Sequence, residues 1–263
     1  MVQGCRLAIC CHRMSDNPAI ETTDFGFRRV PRGEKPALVR GVFDSVARRY
    51  DLMNDLMSLG VHRAWKRILL TALDPRPRLA LLDLAAGTGD IGLAWLARGG
   101  GPALLTDVNA SMLAIARDRS IERALVAGAA FAVADAEHLP LPDRTVDRVS
   151  IAFGLRNCTD KAAVLAEARR VLRPGGRFFC LEFSHLQVAA AQPLYDAWSF
   201  KALPLLGRYV AKDAASYQYL AESIRTFPDQ ETLADMMRAA GFARVGVRDL
   251  SGGIAAIHSG WRL

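Results

Sequence analysis

The stretch D-L-A-A-G-T-G-D, from Asp83 to Asp90, decides the fold of this chain. It follows an apolar run, Leu79 to Leu82, that is typical of a buried strand leading into a glycine turn. Gly87 and Gly89 carry no Cβ, so the backbone can turn sharply and approach a ligand closely. The helix that follows would begin with unpaired backbone amides. The turn therefore predicts a site for a nucleotide-like ligand.

A second short apolar strand, Pro102 to Asp107, ends in an acid, and a carboxylate at that point can accept both hydroxyls of a ribose. This arrangement favours an adenosine-type ligand. The glycines alone do not exclude a second class of protein, the dinucleotide-binding folds. Gly87, Gly89 and Gly92 also satisfy the G-x-G-x-x-G pattern of dinucleotide-binding folds, with an acid 18 residues after Gly89.

Three features outside the glycines favour a protein that binds an adenosine-type ligand over a dinucleotide-binding dehydrogenase. Asp83 lies inside the first strand, where a dehydrogenase strand would be apolar up to its turn. A third strand, Ala129 to Ala134, ends at Asp135-Ala136, which places another acid where strand ends converge. Arg244 to Leu250 and Ile254 to Trp261 are joined by the short turn S-G-G and predict an antiparallel hairpin. This α/β pattern, a doubly wound sheet with a C-terminal hairpin, resembles the seven-stranded class I S-adenosylmethionine-dependent methyltransferases.

The remaining pattern predicts a single methyltransferase domain, residues 37–263, after an N-terminal tail, residues 1–36, that we expect to be partly disordered. The domain comprises a helical cap (37–73), the cofactor-binding core (78–185), a helical lid insertion (186–226), and the last helix with the hairpin (227–263). Within the core, the pattern predicts the fourth strand over Asp147 to Phe153 and an amphipathic helix over Ala162 to Leu172. Pro174-Gly175-Gly176 then breaks that helix and leads into the fifth strand, Arg177 to Glu182.

Composition and charge give less specific information about binding partners than the motifs do. The chain has 263 residues, 51% of them hydrophobic, and 34 Lys and Arg against 27 Asp and Glu give a net charge of +7. This charge suits nucleic acid or an acidic lipid surface, and an ordinary basic surface explains it as well. The longest wholly apolar stretch, Ala124 to Ala134, has 11 residues, fewer than the roughly 18 needed to cross a bilayer. The five cysteines form no C-x-x-C pair, so we expect reduced thiols and no metal site.

Three long blocks of sequence resemble one particular family of methyltransferases. Val42 to Lys66, Phe153 to Asp160 (F-G-L-R-N-C-T-D) and Lys212 to Gln230 are similar to the quinone-biosynthesis C-methyltransferases, which act in the ubiquinone and menaquinone pathways. The similarity extends from about Phe25 to the C-terminus. T-T-D-F-G-F, from Thr22 to Phe27, resembles the leader segment of that family, which favours Met14 over Met1 as the start of the protein.

The resemblance implies S-adenosyl-L-methionine as the cofactor. Gly87 and Thr88 would hold its methionine end, Asp107 its ribose, and Asp135-Ala136 its adenine. Gly89 and Asn109 would complete the site. Ala152 stands where the family often has Ser, so a backbone contact would remain while the hydroxyl contact is lost. Asp83 either binds the cofactor or organises the turn by bonding backbone amides.

The implied reaction is methylation of a carbon on an electron-rich ring. A ring hydroxyl that ionises during attack needs a base, or a cation that stabilises the phenolate. Arg156 suits the cationic role because a guanidinium stays charged, and Asn157 can orient a ring oxygen. Glu182 and His185 follow the fifth strand and are the titratable candidates, but the sequence does not identify the base.

Substrate contacts are expected from the cap and the lid. Tyr50 and Asn54 are the polar members of an apolar helical stripe that would cover the cofactor mouth, and Tyr217 is a third candidate. Leu194 to Val210 mixes large aromatics with basic residues and is either an interfacial surface that admits a polyprenyl tail or a buried lid.

The expected partners are a polyprenyl quinol, a membrane surface, a quinone-biosynthesis complex and a second copy of the chain, but no nucleic acid. The expected location is the cytoplasm at the inner membrane, or the mitochondrial matrix in a eukaryote. The rival functions are methylation of nucleic acid or another small molecule, and a non-catalytic assembly role. Exocyclic-amine methyltransferases commonly place [DN]-P-P-[YF] where this chain has F-G-L-R-N, and a non-catalytic subunit would lose the ligand residues that are intact here.

Overall fold

A computed structural model describes residues 21–46, 55, 58–188, 193 and 214–263. Two strands, β1 (Thr22–Phe25) and β2 (Arg28–Pro31), form an antiparallel hairpin. The other strands form one sheet: β3 (Leu81–Leu84), β4 (Ala103–Asp107), β5 (Ala129–Val133), β6 (Val146–Ala152), β7 (Leu172–Phe183), β8 (Ala243–Leu250) and β9 (Ala255–Trp261). Their order is β5-β4-β3-β6-β7-β9-β8.

The first five strands of this sheet are parallel, and β9 runs antiparallel to both β7 and β8. The predicted doubly wound sheet with a C-terminal antiparallel hairpin is therefore confirmed. The strand order reverses at β3, which pairs with β4 on one side and with β6 on the other. In open α/β sheets, ligands bind in the crevice outside the carboxyl ends of the strands at such a reversal.

Seven described helices accompany the strands: α1 (Lys35–Val46), α2 (His62–Leu73), α3 (Asp90–Ala97), α4 (Ala110–Glu122), α5 (Lys161–Val171), α6 (Ala214–Arg225) and α7 (Gln230–Ala239). Because strand side chains alternate between faces, Leu81 and Leu82 enter different cores. The core that contains Leu81 also takes residues of α2, α3 and α6. The core that contains Leu82 takes residues of α5 and α7.

Part of the N-terminal region that the sequence predicts to be a partly disordered tail is structured. From residue 21 onward the chain forms the β1–β2 hairpin and then α1, which begins at Lys35. Phe25 is buried, and its ring stacks on that of Tyr219 with 4.3 Å between centroids. Tyr219 lies almost 200 residues after Phe25 in the sequence, so no local pattern indicates this packing. Much of the predicted lid, including 194–210, lies outside the described residues.

The fifth strand also differs, because β7 begins at Leu172 and contains Pro174-Gly175-Gly176. Leu172 pairs with Val146 and Arg177 with Arg148, so the residues between them bulge out of the ladder. Gly175 has φ near +79°, a conformation that favours glycine. The Pro-Gly-Gly sequence therefore marks a bulge inside a strand rather than a loop before it.

Candidate active site

The glycine turn is held by the carboxylate at the end of β4. Asp107 Oδ2 accepts a hydrogen bond from the Gly87 amide at 2.9 Å, and Oδ1 accepts one from the Asn109 amide at 2.9 Å. Gly89 has φ near +84° at the start of α3. A Cβ on Gly92 would lie 2.6 Å from Leu105 Cγ, so this third glycine allows α3 to pack closely on β4. Burial raises the pKa of Asp107, and the amide hydrogen bonds act against that rise.

A cavity with about 820 Å³ of empty space, partly open to solvent, lies outside these strand ends. Gly87, Asp107, Asp135 and Ala136 line one part of it. Asn157, Cys158 and Thr159 line another part, together with one face of α1 through Pro36, Val39, Arg40 and Phe43. The cavity therefore joins the predicted adenosine site to the loop after β6.

Asn109 shapes the same region as a helix cap. Its Oδ1 accepts hydrogen bonds from the amides of Ser111 and Met112 at the start of α4, and its Nδ2 donates to Asp44 Oδ1 at 2.7 Å. Asp44 belongs to α1, so this bond ties the wall of the cavity to the end of β4. Asp135, farther along the cavity, accepts a hydrogen bond from the Glu137 amide.

A smaller polar pocket, defined by Lys66, Asp83, Thr88, Asp90 and Ala152, shares Ala85 with the larger cavity. Asp83 accepts hydrogen bonds from the Gly92 amide at 3.0 Å and from Ser150 Oγ at 2.7 Å, and burial raises its pKa to about 7. Asp83 therefore holds the first turn of α3 and also lines a pocket, and its contact with the cofactor stays a prediction. Lys66 Nζ bonds Asp90 at 2.5 Å.

Thr88 in this pocket is buried, and its Oγ1 accepts a hydrogen bond from Arg119 Nη1 at 2.8 Å. Arg119 also lies 3.3 Å from Asp90 Oδ1. The pocket consequently presents cations and carboxylates within one small space.

Arg156 and Glu182 form a buried ion pair at the ends of β6 and β7. Arg156 Nη1 lies 2.6 Å from Glu182 Oε1, and each side chain is only 1% exposed. Glu182 also accepts hydrogen bonds from the backbone amides of Arg156 and Phe183. Arg156 Nη1 donates to the Phe153 carbonyl, while its Nε has no hydrogen-bond partner among the described residues. The sequence suggested a guanidinium facing the acceptor, but Arg156 does not line the larger cavity.

Asn157 does line that cavity, and its Oδ1 accepts a hydrogen bond from Tyr219 Oη at 3.0 Å. Cys158 beside it is a free thiol, and burial raises its pKa to about 12, so it stays protonated near neutral pH. His185 lines neither the larger cavity nor the polar pocket, and it bonds the Phe227 carbonyl through Nε2.

The structure describes only one of the three residues predicted to contact the substrate. Tyr50 and Asn54 lie outside the described residues. Tyr217 is buried and lines neither the larger cavity nor the polar pocket. Tyr219, two residues later, reaches Asn157 instead. Sequence reasoning missed Tyr219. The apolar stripe predicted to cover the cofactor mouth begins at Phe43, which does line the cavity, and the same helical face continues back to Pro36 with i, i+3, i+4, i+7 spacing.

Comparison with known proteins identifies the family of this chain. The model of the ubiE/COQ5 methyltransferase family matches residues 31–262. A ubiquinone/menaquinone biosynthesis C-methyltransferase UbiE from Acidiphilium cryptum is 73% identical over 243 residues, which cover 92% of this chain and 98% of the relative. Its counterpart from Bradyrhizobium diazoefficiens is 54% identical over 255 residues, covering 94% and 100% of the two chains.

Solved structures agree on the fold. The complex between the Haloferax volcanii Trm112 methyltransferase activator and a methyltransferase has a chain that aligns with a TM-score of 0.63 at 18% identity, covering 85% of this chain and 97% of that one. A S-adenosylmethionine-dependent methyltransferase from Thermotoga maritima aligns with a TM-score of 0.60 at 18% identity, covering 85% and 99%. The extent of the family match and the identity to the Acidiphilium relative show that this chain belongs to the ubiE/COQ5 methyltransferase family.

Proposed function

We propose that this chain transfers a methyl group from S-adenosyl-L-methionine to a ring carbon of a polyprenylated quinol, either a benzoquinol of ubiquinone synthesis or demethylmenaquinol. Family membership and the activity that the relatives' names state support this reaction. The observation that carries it is the continuous cavity from Asp107, beside the glycine turn, to Asn157 after β6.

The residues of the site suit the cofactor at each end. Asp107 offers a carboxylate to the ribose hydroxyls, and Ala136 and Met112 offer apolar surface to the adenine. The polar pocket offers Asp83 and Asp90 to an ammonium group and Lys66 to a carboxylate, as the methionine end requires. When bound, the cofactor supplies an electrophilic methyl group on a sulfonium.

The protein's contribution is then to position the acceptor and to stabilise charge on its ring oxygen. Holding the reacting carbon about 3–3.5 Å from the methyl group supplies much of the acceleration. A hydrogen-bond donor aimed at the oxygen lowers the barrier further, because negative charge develops there. We assign the contact with the acceptor to Asn157, and we assign to Arg156 a positive charge held behind it by Glu182.

The proposed reaction predicts that the purified protein methylates a short-tailed demethylmenaquinol or benzoquinol with isotope-labelled S-adenosylmethionine. Mass spectrometry and NMR should place the label on a ring carbon, and the relative kcat/KM should separate the two pathways. Quinone intermediates extracted after deletion of the protein should lack that methyl group. Label that enters RNA or a hydroxyl oxygen, with none on ring carbon, would contradict the proposal.

We also propose that the protein works at the surface of the bilayer, where a long-tailed quinol resides. The net charge of +7 and the aromatic and basic stretch 194–210 support this, and that stretch lies outside the described residues. No helix in the described part of the chain is long and apolar enough to cross a membrane. Anionic lipid contributes roughly 1 kcal/mol per nearby Lys or Arg, and apolar side chains add to it. A homodimer and a quinone-biosynthesis complex stay predictions.

Surface binding predicts that the protein floats with anionic liposomes at low salt and less so as salt rises. Replacing Trp198, Phe200 and Lys201 together by Ser should reduce flotation, while activity on a water-soluble acceptor persists. Ile121→Ser is the matched control, because this residue of α4 is an exposed apolar side chain outside the stretch. A wild-type protein that stays unbound at low salt would instead require a partner that delivers the substrate.

A further inference from the structure

Side chains of the N-terminal hairpin, of Arg32 and of Lys35 at the start of α1 form hydrogen bonds with one wall of the cavity. The wall segment runs from Asn157 to Asp160 and includes three cavity-lining residues. Three of its consecutive residues are bonded by side chains of the N-terminal region: Thr23 Oγ1 to the Thr159 carbonyl at 3.4 Å, Arg32 Nη2 to Asp160 Oδ2 at 2.7 Å, and Lys35 Nζ to the Cys158 carbonyl at 2.9 Å. The hairpin is therefore coupled to the acceptor side of the site.

The fourth residue of the wall segment, Asn157, is reached through Tyr219. This tyrosine lies on α6, is 5% exposed, and donates its hydroxyl to Asn157 Oδ1 at 3.0 Å. On its other side, its ring stacks on Phe25 of β1 at an interplanar angle of 24°. Tyr219 thus connects the hairpin to a side chain that lines the cavity.

This hydrogen bond decides which end of the carboxamide a ligand can use. An asparagine side chain has an accepting oxygen and a donating NH₂ group. Because Tyr219 bonds the oxygen, the NH₂ group is the end that is left for a ligand in the cavity. Burial raises the pKa of Tyr219, with smaller effects from Arg156, Cys158 and Glu182, so its hydroxyl remains a donor near neutral pH.

We propose that Tyr219 is a positioning residue, which fixes the carboxamide of Asn157 so that Nδ2 donates to the ring oxygen of the acceptor. The identity of the acceptor rests on the function proposed above, whereas the orientation of the carboxamide does not. Phe25 braces the tyrosine ring, so the hairpin contributes to the site without contacting the ligand. A tyrosine that only filled the core would be replaced by phenylalanine without effect on the reaction.

Tyr219→Phe keeps the ring and its stacking on Phe25 and removes only the hydroxyl. We expect kcat to fall about tenfold, which is less than the 10²–10³-fold cost of deleting a donor to a developing oxyanion. The KM values and the affinity for S-adenosylmethionine should change less than twofold. In an Asn157→Ala background the same substitution should have no further effect, because the residue acts through Asn157. Ser223→Ala is the matched control, since it removes another buried hydroxyl hydrogen bond from α6 and should leave kcat unchanged.

The orientation itself is measured by NMR of the side-chain ¹⁵NH₂ group of Asn157, assigned by its loss in Asn157→Ala. We expect one sharp pair of signals in the wild type, and shifted or exchange-broadened signals in Tyr219→Phe but not in Ser223→Ala. If the wild type fails to methylate quinols while these signals respond, the proposed function falls and the positioning role stands. Unchanged signals with unchanged kcat, or an equal loss of kcat in the Asn157→Ala background, would overturn the positioning role.

Discussion

Asp107→Ala is expected to weaken the binding of S-adenosylmethionine at least tenfold. A charged hydrogen bond contributes about 1.5–3 kcal/mol, and this carboxylate is placed to accept two from the ribose. A tenfold change in affinity corresponds to about 1.4 kcal/mol, so the loss of either bond is sufficient. Isothermal titration calorimetry measures the change directly.

The structure adds a second consequence to this substitution. Asp107 also accepts the amides of Gly87 and Asn109, so alanine leaves two buried donors unpaired and loosens the turn. Asp107→Asn retains one acceptor and should lie between alanine and the wild type in both stability and affinity. Asp118→Ala is a suitable control, because it removes an exposed carboxylate from α4 and should change neither. Unchanged affinity in a folded Asp107→Ala protein would exclude the ribose role.

The glycine turn and its acid were predictable because the relevant pattern is local. The strand entering the turn, the small residues within it and the acid at the end of β4 all lie between Leu79 and Asp107, and each has a direct backbone consequence. The hairpin of β8 and β9 was predictable for the same reason, since a short turn joins its two extended runs. Such features determine the fold and the part of the cavity beside the glycine turn, where we propose that the cofactor binds.

The part of the cavity that we propose for the acceptor was less predictable, because it is assembled from segments that are distant in the sequence. Phe25, Asn157 and Tyr219 form one contact chain, yet no local periodicity connects them. The choice between Tyr217 and Tyr219 depends on how α6 is rotated against the loop after β6, and the sequence of α6 does not fix that rotation. Arg156 and Glu182 were each recognised at strand ends, but their pairing depends on β6 and β7 being neighbours and on burial from both sides.

This pairing predicts a large loss of stability when only one of its charges is removed. Breaking a buried ion pair by removing one partner typically costs 3–5 kcal/mol, because the remaining charge is left uncompensated. That is a large share of the 5–15 kcal/mol by which most domains are stable. Glu182→Gln should therefore lower the free energy of unfolding in urea by about this amount, although it still offers an oxygen to the amides of Arg156 and Phe183.

The double variant Arg156→Met with Glu182→Gln removes both charges, and we expect it to recover most of the stability that Glu182→Gln loses. Turnover should not recover in the same way. We propose that the Arg156 guanidinium stabilises negative charge on the ring oxygen, and the double variant lacks this cation. We expect the folded double variant to bind S-adenosylmethionine normally and to lose at least 10²-fold in kcat. Arg156→Lys keeps the charge but loses the planar fork, so its kcat should fall less. Full turnover in the double variant would show that Arg156 and Glu182 only support the fold, whereas lost turnover with restored stability separates the catalytic role of the cation from its structural one.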